Sequence, residues 1–278
     1  MRSLTTALVV LAMAAPVLAQ RGRPAFDPAT AEPAPRLGDG SINITARPDE
    51  TGFWFPLGGA WANLADNDDL SGPSYEQSFY PGRPTFSEVP LQPWARAVLE
   101  FRGQTRFEPH ARCKASGGAR QFQTPYGVEV VDVPELNQVY IFDVGGPHSY
   151  RAINMDAEHP EDLTPSYYGH SIGRWDGDTL VVDTVGFNER FWMDRRGFPH
   201  TEELHLVERF TRTSLERMTY EITIEDPGAY TRPWTSGFYL VWTPDWENFE
   251  YVCQENNLAQ DLMIGTEGAV DRNYRVVP

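Results

Sequence analysis

The chain has 278 residues, 41% of them hydrophobic, and a formal net charge of −16 at pH 7. This length fits one large domain or two small ones. The negative charge argues against binding to nucleic acid and to an anionic membrane surface, since both partners require basic side chains. A neutral or cationic small molecule would not be repelled, so we expect a small-molecule ligand or substrate.

Residues 1–19 have the pattern of a secretory signal peptide. Arg2 gives a short positive region, and residues 7–15 form an apolar stretch too short to cross a bilayer. Val17, Leu18 and Ala19 match the small-residue cleavage pattern. We therefore expect cleavage near Ala19, a periplasmic or secreted protein, and no membrane insertion.

Residues 20–50 predict a loose N-terminal arm, because they are rich in Pro, Ala and Arg and show little apolar periodicity. Residues 51–278 are expected to form one domain, with its first segment packed on a larger body. Within it, residues 93–102 predict one short helix, since Pro93 stands in the first turn and Gly103 follows the last.

Beyond residue 120 the pattern changes to short strands, with turns at roughly ten-residue spacing. Asp176 and Gly177 lie between strand-like flanks, which is typical of a hairpin with a type I′ turn. Further strands are predicted at residues 179–185, 204–211, 218–225, 238–242 and 249–253. Because no amphipathic helices intervene, the pattern favours an antiparallel sandwich or barrel over a parallel α/β sheet.

Two phrases, YYGHSIGRWDGDTLVVDTVGFN (residues 167–188) and HTEELHLVERFTR (200–212), resemble a widespread set of exported bacterial proteins of unassigned function. The resemblance covers most of residues 37–257 and implies no particular reaction. The hairpin and the strands after it also resemble lipocalin-like and nitrobindin-like barrels. That second resemblance implies a mainly-β fold: a single antiparallel lipocalin-like β-barrel around one small ligand, with the N-terminal arm and the helix outside it.

The two cysteines, Cys113 and Cys253, predict a disulfide, because an isolated pair in an exported protein is usually bridged. The bond would close a long loop between the middle of the chain and its C-terminal part. In the chain-entropy model such a bridge contributes roughly 4–5 kcal/mol to stability.

Candidate catalytic side chains concentrate in residues 167–212. His170 follows two tyrosines and is suited to proton transfer near neutral pH. Asp183 shares a strand face with two valines and needs a partner there, so we expect His205 or His170 to contact it. The structural alternative is an aspartate that caps a turn or accepts a backbone N–H.

The strand at residues 204–212 has two alternative orientations. One face carries His205 and Arg209, and the other carries Leu204, Leu206 and Glu208. With the first face inward, the barrel would hold a polar patch in an apolar cavity, which is the usual form of a small-molecule site. The apolar count slightly favours the second face.

No cofactor is predicted, although a divalent metal ion is an alternative. No H-E-x-x-H motif is present. A turn could nevertheless bring His200 and His205 to one ion, with His170 as a third ligand. A haem would require only one axial histidine in a nitrobindin-like pocket.

The expected function is an exported enzyme that acts on a small apolar or aromatic molecule by histidine-centred acid–base chemistry. Hydrolysis, isomerisation and elimination all fit. His170 and His205 would move protons, and Asp183 would orient one of them. Tyr168 and Arg209 would hold an oxyanion or carbonyl oxygen. The alternative is a non-catalytic periplasmic binding protein for a lipid, haem or aromatic ligand, and fold alone does not separate the two.

Overall fold

The structure, a computed structural model, describes residues 29–59, 62–72, 78–105 and 108–254. The predicted signal peptide, residues 1–19, lies outside the described residues. The chain divides into two compact units, Met1–Ala31 and Glu32–Pro278, and the second contains every element considered below. Among the described residues, no helix has the length and apolarity that crossing a bilayer requires.

Nine strands form a closed barrel in sequence order, with the last strand paired to the first. They are β1 Gly52–Pro56, β2 Val128–Val133, β3 Gln138–Asp143, β4 Ser149–Met155, β5 His170–Asp176, β6 Thr179–Val185, β7 His205–Arg212, β8 Arg217–Glu225 and β9 Trp234–Pro244. The helix α1 spans Pro93–Thr105. The predictions of a mainly-β barrel and of one helix from Pro93 are therefore confirmed.

The barrel is mixed, which corrects the prediction of a purely antiparallel one. Strands β4 and β5 are parallel, with Ile153 opposite Ser171. All other neighbouring pairs run antiparallel. The reason is geometric: antiparallel neighbours must alternate in direction around a closed ring, and nine is an odd number. At least one neighbouring pair must therefore be parallel. The crossover at residues 156–169 allows this, because it returns the chain to the end of the barrel where β4 began, and β5 starts there.

The hairpin β5–β6 is confirmed, but its turn is not of type I′. Asp176 pairs with Thr179, and only the first of the two central residues, Gly177, has a positive φ, of 59°. A type I′ turn requires positive φ at both central residues, whereas a type II′ turn requires glycine at the first. The strand predicted at residues 249–253 is also wrong, since the last strand is β9 and residues 249–254 form no strand.

The barrel interior is filled by side chains. Phe122, from a short 3₁₀ helix at Gly118–Phe122, packs against Tyr220 and Phe238 with ring centroids 4.9 and 6.1 Å apart. Arg151 on β4 and Glu208 on β7 form an ion pair, and their side chains are 1% and 0% exposed. Since β4 and β7 are not neighbours in the sheet, this ion pair crosses the interior of the barrel. Side chains without accessible surface border no space large enough for a water molecule, so this region is a packed core.

Burial along β7 decides between the two alternative orientations. Leu206, Glu208 and Phe210 are buried, while His205 and Arg209 are only half-buried. The face that carries Glu208 therefore points inward, and His205 lies on the outer wall. This is the orientation that the apolar count favoured.

Segments outside the barrel pack on both of its ends. In the part of residues 20–50 that is described within the second unit, Ile42 and Ile44 are buried. Helix α1 covers the opposite end, where Trp94 Nε1 donates to the Gly228 carbonyl at 2.9 Å. The predicted disulfide between Cys113 and Cys253 is confirmed.

Candidate functional site

The candidate site lies on the outer wall, at the end of the barrel where β5 begins, β6 ends and β7 begins. These three strand ends carry His170, Asp183 and His205, all on outward-facing positions. The crossover between β4 and β5 adds His159 to the same group. We call these four residues the Asp183 cluster.

Asp183 accepts hydrogen bonds from two histidines. Nε2 of His205 lies 3.0 Å from both carboxylate oxygens, and Nε2 of His159 lies 3.0 Å from Oδ1. The three side chains are 22–33% exposed, so solvent reaches them. Partial burial acts to raise the pKa of Asp183, but the hydrogen bonds from His205 and His159 outweigh it and hold the pKa below its ordinary value. The carboxylate is therefore ionised at neutral pH.

The contacts define one consistent set of tautomers for neutral imidazoles. An ionised Asp183 can only accept, so His159 and His205 both carry their proton on Nε2. Nδ1 of His159 is then an acceptor, and Nδ1 of His170, 2.8 Å away, must donate to it. Nε2 of His170 in turn accepts from Asn154 Nδ2 at 3.3 Å. A chain of hydrogen bonds thus runs from β4 to Asp183.

This assignment leaves Nδ1 of His205 with a free lone pair. The nearest charged group to that nitrogen is Oε2 of Glu225, at 3.7 Å on the neighbouring strand β8. An imidazole held by a carboxylate on one nitrogen and open on the other is the arrangement that a general base requires. Burial and the nearby His159 lower the pKa of His170, which keeps that ring neutral at neutral pH.

Three of the five predicted catalytic residues come together, and the structure gives the other two different partners. The hydroxyl of Tyr168 lies 3.1 Å from Ser149 Oγ and 3.4 Å from Asp143 Oδ2. Arg209 donates to Asp176 Oδ2 at 3.0 Å on the exposed outer wall. Neither of these contacts belongs to the Asp183 cluster, so the predicted oxyanion-holding role has no support in the geometry.

His159 is the member of the cluster that sequence reasoning missed. It lies on the crossover, and no local pattern marks it. In a purely antiparallel barrel a short turn would join β4 to β5. The predicted fold therefore gave no reason to place residues 156–169 against the outer wall. The signal that could have found it is the odd number of strands, which requires one long connection.

The histidines proposed as metal ligands do not form one group. His200 is buried, with Nε2 3.1 Å from the Phe191 carbonyl oxygen and its ring 4.1 Å from the Phe191 ring. Burial lowers the pKa of His200 to about 4. In the described ranges, no three or more His, Cys, Asp and Glu side chains are arranged to hold a metal ion.

A second polar cluster lies buried at the same end of the barrel. Asp143 Oδ2 accepts from Ser116 Oγ at 3.0 Å, and Ser116 Oγ lies 2.9 Å from Nδ1 of His110. Burial raises the pKa of Asp143 to about 7 and lowers the pKa of His110 to about 4. When Asp143 is ionised, the Ser116 hydroxyl donates to it and must accept from His110. A nucleophilic serine needs the opposite, a histidine that accepts its proton.

A cleft of about 430 Å³ opens among loops at this end of the barrel, lined by Pro165, Asn188, Glu189, Arg190 and Glu202. Pro165 precedes β5, residues 188–190 follow β6, and Glu202 precedes β7. Each of the loops that line the cleft is therefore joined to a strand that carries a member of the Asp183 cluster. Its lining is mostly polar.

Compared with known proteins, the chain matches no family model, no curated protein and no solved structure. The resemblance to a set of exported bacterial proteins therefore stays a prediction, and so does the lipocalin-like type of the barrel.

Proposed function

We propose that this protein is an enzyme that acts on a small molecule by acid–base catalysis, with His205 as the proton-transferring group. The observation that carries the proposal is the contact of Nε2 of His205 with both oxygens of Asp183. A carboxylate in that position fixes the tautomer and the orientation of the imidazole. The other nitrogen, Nδ1, is thereby presented as a base.

The chemistry follows from the free lone pair on Nδ1. In the first step Nδ1 takes a proton from the substrate, or from a water molecule that attacks it. Asp183 stabilises the resulting imidazolium through Nε2, and Glu225 faces the newly protonated nitrogen at 3.7 Å. Return of the proton to a leaving group or to a neighbouring carbon restores the neutral ring. Hydrolysis, isomerisation and elimination share these steps.

His170 is the second proton carrier in this proposal. It contacts His159, which in turn contacts the same carboxylate as His205. Both rings therefore depend on the charge of Asp183, His205 by direct contact and His170 through His159. Because its pKa is lowered, His170 is neutral and able to accept at neutral pH.

The cleft formed by the loops next to the strand ends of β5, β6 and β7 is the proposed substrate site. Its carboxylates, guanidinium and amide favour a molecule with polar substituents over the small apolar or aromatic substrate expected from the sequence. The packed interior supports an enzyme over a carrier that encloses its ligand, since Glu208, Tyr220 and Phe238 have no accessible surface. The disulfide supports export, because such bonds persist in oxidising compartments.

A substrate screen that detects proton transfer directly tests this proposal. Small ketones and hydroxyketones are incubated in D₂O and their α-proton exchange is followed by NMR, with nitrophenyl esters as probes of hydrolysis. For any compound that wild type turns over, we expect His205→Gln to lower the rate at least about 100-fold. His170→Gln should also lower it.

The matched control is His148→Asn, which replaces a histidine outside the Asp183 cluster. His148 has a positive φ of 51°, and asparagine tolerates that conformation. This variant should keep the wild-type rate. A folded His205→Gln protein with an unchanged rate would rule out His205 as the base.

A further inference from the structure

Three aromatic rings lie side by side on the outer wall of β3 and β4. Tyr140, Phe142 and Tyr150 have ring centroids 5.9, 5.9 and 6.1 Å apart. Phe142 and Tyr150 are directly opposite each other across the two strands. Tyr150 is 59% exposed, while the other two are half-buried. We call these three residues the outer aromatic patch.

The orientation of the patch follows from the alternation along β3. Val139, Ile141 and Asp143 are buried, so the residues between them point away from the core. Aromatic pairs across strands stabilise a sheet, but this stabilisation does not account for the large exposed fraction of the Tyr150 ring. The patch is therefore available to a ligand from the solvent side.

The surroundings of the patch favour positive charge. Glu129 on β2 is directly opposite Phe142 and shares its outward face. The described outward positions of β2, β3 and β4 around the patch include one carboxylate and no basic side chain: Glu129, Val131, Gln138, Tyr140, Phe142, Tyr150, Ala152 and Asn154. Partial burial raises the pKa of Glu129, so a cation placed beside it would stabilise its ionised form.

One ring of the patch is held in place by neighbours. The Tyr140 hydroxyl donates to Gln138 Oε1 at 2.6 Å, and Gln138 Nε2 donates to Asn154 Oδ1 at 2.7 Å. A ring that is already oriented loses less conformational freedom when a ligand binds. The Tyr140 ring is thus fixed in its position against Phe142 and Tyr150.

We propose that the outer aromatic patch binds an organic cation, such as a quaternary ammonium group that carries a ring. The cation lies against the faces of Tyr150 and Phe142, whose quadrupoles attract positive charge. Glu129 supplies the counter-charge, and a ring on the ligand packs on the aromatic surface. The net charge of −16 brings cations toward the protein. This binding site shares no residue with the Asp183 cluster, although Asn154 forms hydrogen bonds toward both, and it does not depend on the proposed catalysis.

The test is a titration of the full chain with benzyltrimethylammonium, followed by NMR of the tyrosine and phenylalanine rings. We expect saturable binding in the millimolar range, as for one exposed cation–π site. Tyr150→Ala should weaken binding about two- to fivefold or more, whereas Tyr150→Phe should leave it unchanged, since the face and not the hydroxyl binds the cation. Glu129→Gln should weaken binding of the cation but not of neutral benzyl alcohol.

The matched control is Trp175→Ala, which removes an aromatic ring that is 40% exposed near the end of β5. This variant should bind the cation as wild type does. Benzenesulfonate, an anion with the same ring, should not bind. The proposal is overturned if wild type shows no saturable binding, if Tyr150→Ala binds normally, or if the anion binds as well as the cation. Sedimentation of wild type as a dimer that Tyr150→Ala abolishes would also overturn it, because a second copy would then cover the patch.

Discussion

Asp183 acts as a shared acceptor for two imidazoles, and this role depends on its charge. A carboxylate offers only acceptor positions, so it can hold the Nε2–H of His159 and of His205 together. The hydrogen bonds in turn lower the pKa of Asp183 and keep it ionised. The tautomers of three histidines are therefore set by one residue.

Asp183→Asn should disrupt the cluster without disturbing the fold. The amide nitrogen of asparagine would face an Nε2–H, so one imidazole has to change its tautomer. We expect nitrogen chemical shifts of the histidine rings to report this change. The rate on any substrate found for wild type should fall at least about 100-fold. As a control, Asp176→Asn removes the surface partner of Arg209 and should alter neither quantity. Unchanged histidine shifts in Asp183→Asn would contradict the assignment of tautomers.

Asp143 should make stability depend on pH in the direction opposite to an ordinary ion-paired carboxylate. Burial raises its pKa from 3.8 to about 7 in the folded chain. Between these values the folded state holds a proton that the unfolded state has released. The free energy of unfolding contributed by Asp143 therefore falls as the pH rises through this window.

Asp143→Asn removes this titration. Relative to wild type, the variant should gain stability, on the order of a few kcal/mol, between about pH 4 and about pH 7, and the difference should then level off. Denaturant unfolding of both proteins at matched pH measures it. Burial lowers the pKa values of His110 and His200 to about 4, so their contribution to the free energy of unfolding increases as the pH rises. Both proteins contain these histidines, and comparing wild type with the variant at each pH therefore cancels this contribution. A difference independent of pH would contradict the prediction.

At the scale of the element, β7 serves both the site and the core. Its outward face presents His205 to solvent, while its inward face places Glu208 in the packed interior. Glu208 contacts Arg151, and Tyr220 donates to its Oε1 at 2.8 Å. Arg151 also donates to Ser171 Oγ on β5 at 2.9 Å. The buried ion pair therefore connects strands on several sides of the barrel and holds the strand that positions His205.

Glu208→Gln should be strongly destabilising. It leaves the Arg151 charge buried without a counter-charge, which costs about 3–5 kcal/mol of unfolding free energy. The double variant Arg151→Met with Glu208→Gln should recover part of this loss, because no buried charge remains. As a control, Asp178→Asn breaks the exposed pair with Arg36 and should cost much less. Chemical denaturation measures all three. A double variant at least as unstable as Glu208→Gln alone would contradict this account.

At the scale of the whole molecule, the barrel closes by pairing β1 with β9, and the disulfide adds a second long-range connection. Cys113 lies in the connection between β1 and β2, and Cys253 follows β9, at a sequence separation of 140 residues. The bond thus joins the segment that plugs one barrel end to the segment that follows the last strand. A connection of this span removes much conformational freedom from the unfolded chain.

Replacing both cysteines by serine should lower the free energy of unfolding by roughly 4–5 kcal/mol in the chain-entropy model. The melting temperature should fall by about 10 °C or more for a chain of this size. Calorimetry of the double variant measures both quantities. Reduced wild-type protein is the control and should behave like the double variant. A melting temperature that does not change would show that the bond adds nothing to stability.

The elements that sequence alone determined are those with local signals. Helix α1 begins at Pro93 as predicted, and the β5–β6 hairpin forms where Asp176 and Gly177 stand, because caps and turns depend on a few adjacent residues. The disulfide was also predictable, from the presence of only two cysteines. Strand spacing left a sandwich and a barrel open, and only the resemblance to small barrels implied the closed ring. The cost of burying a lone carboxylate led to the expectation that Asp183 contacts His205 or His170, and the structure gives the direct contact to His205.

Tertiary structure alone decided which residues meet across the barrel. The parallel β4–β5 pair follows from closing an odd number of strands, and it carries His159 to Asp183. The sequence placed Tyr168 and Arg209 in the same site. In the structure Tyr168, on the crossover, contacts Ser149 and Asp143, and Arg209 shares the outward face of β7 with His205 but lies further along the strand, next to Asp176. Strand patterns repeat every two residues and specify two faces, but not which face is inward or which neighbour lies across. Those contacts depend on how the whole ring closes, which no local stretch of residues encodes.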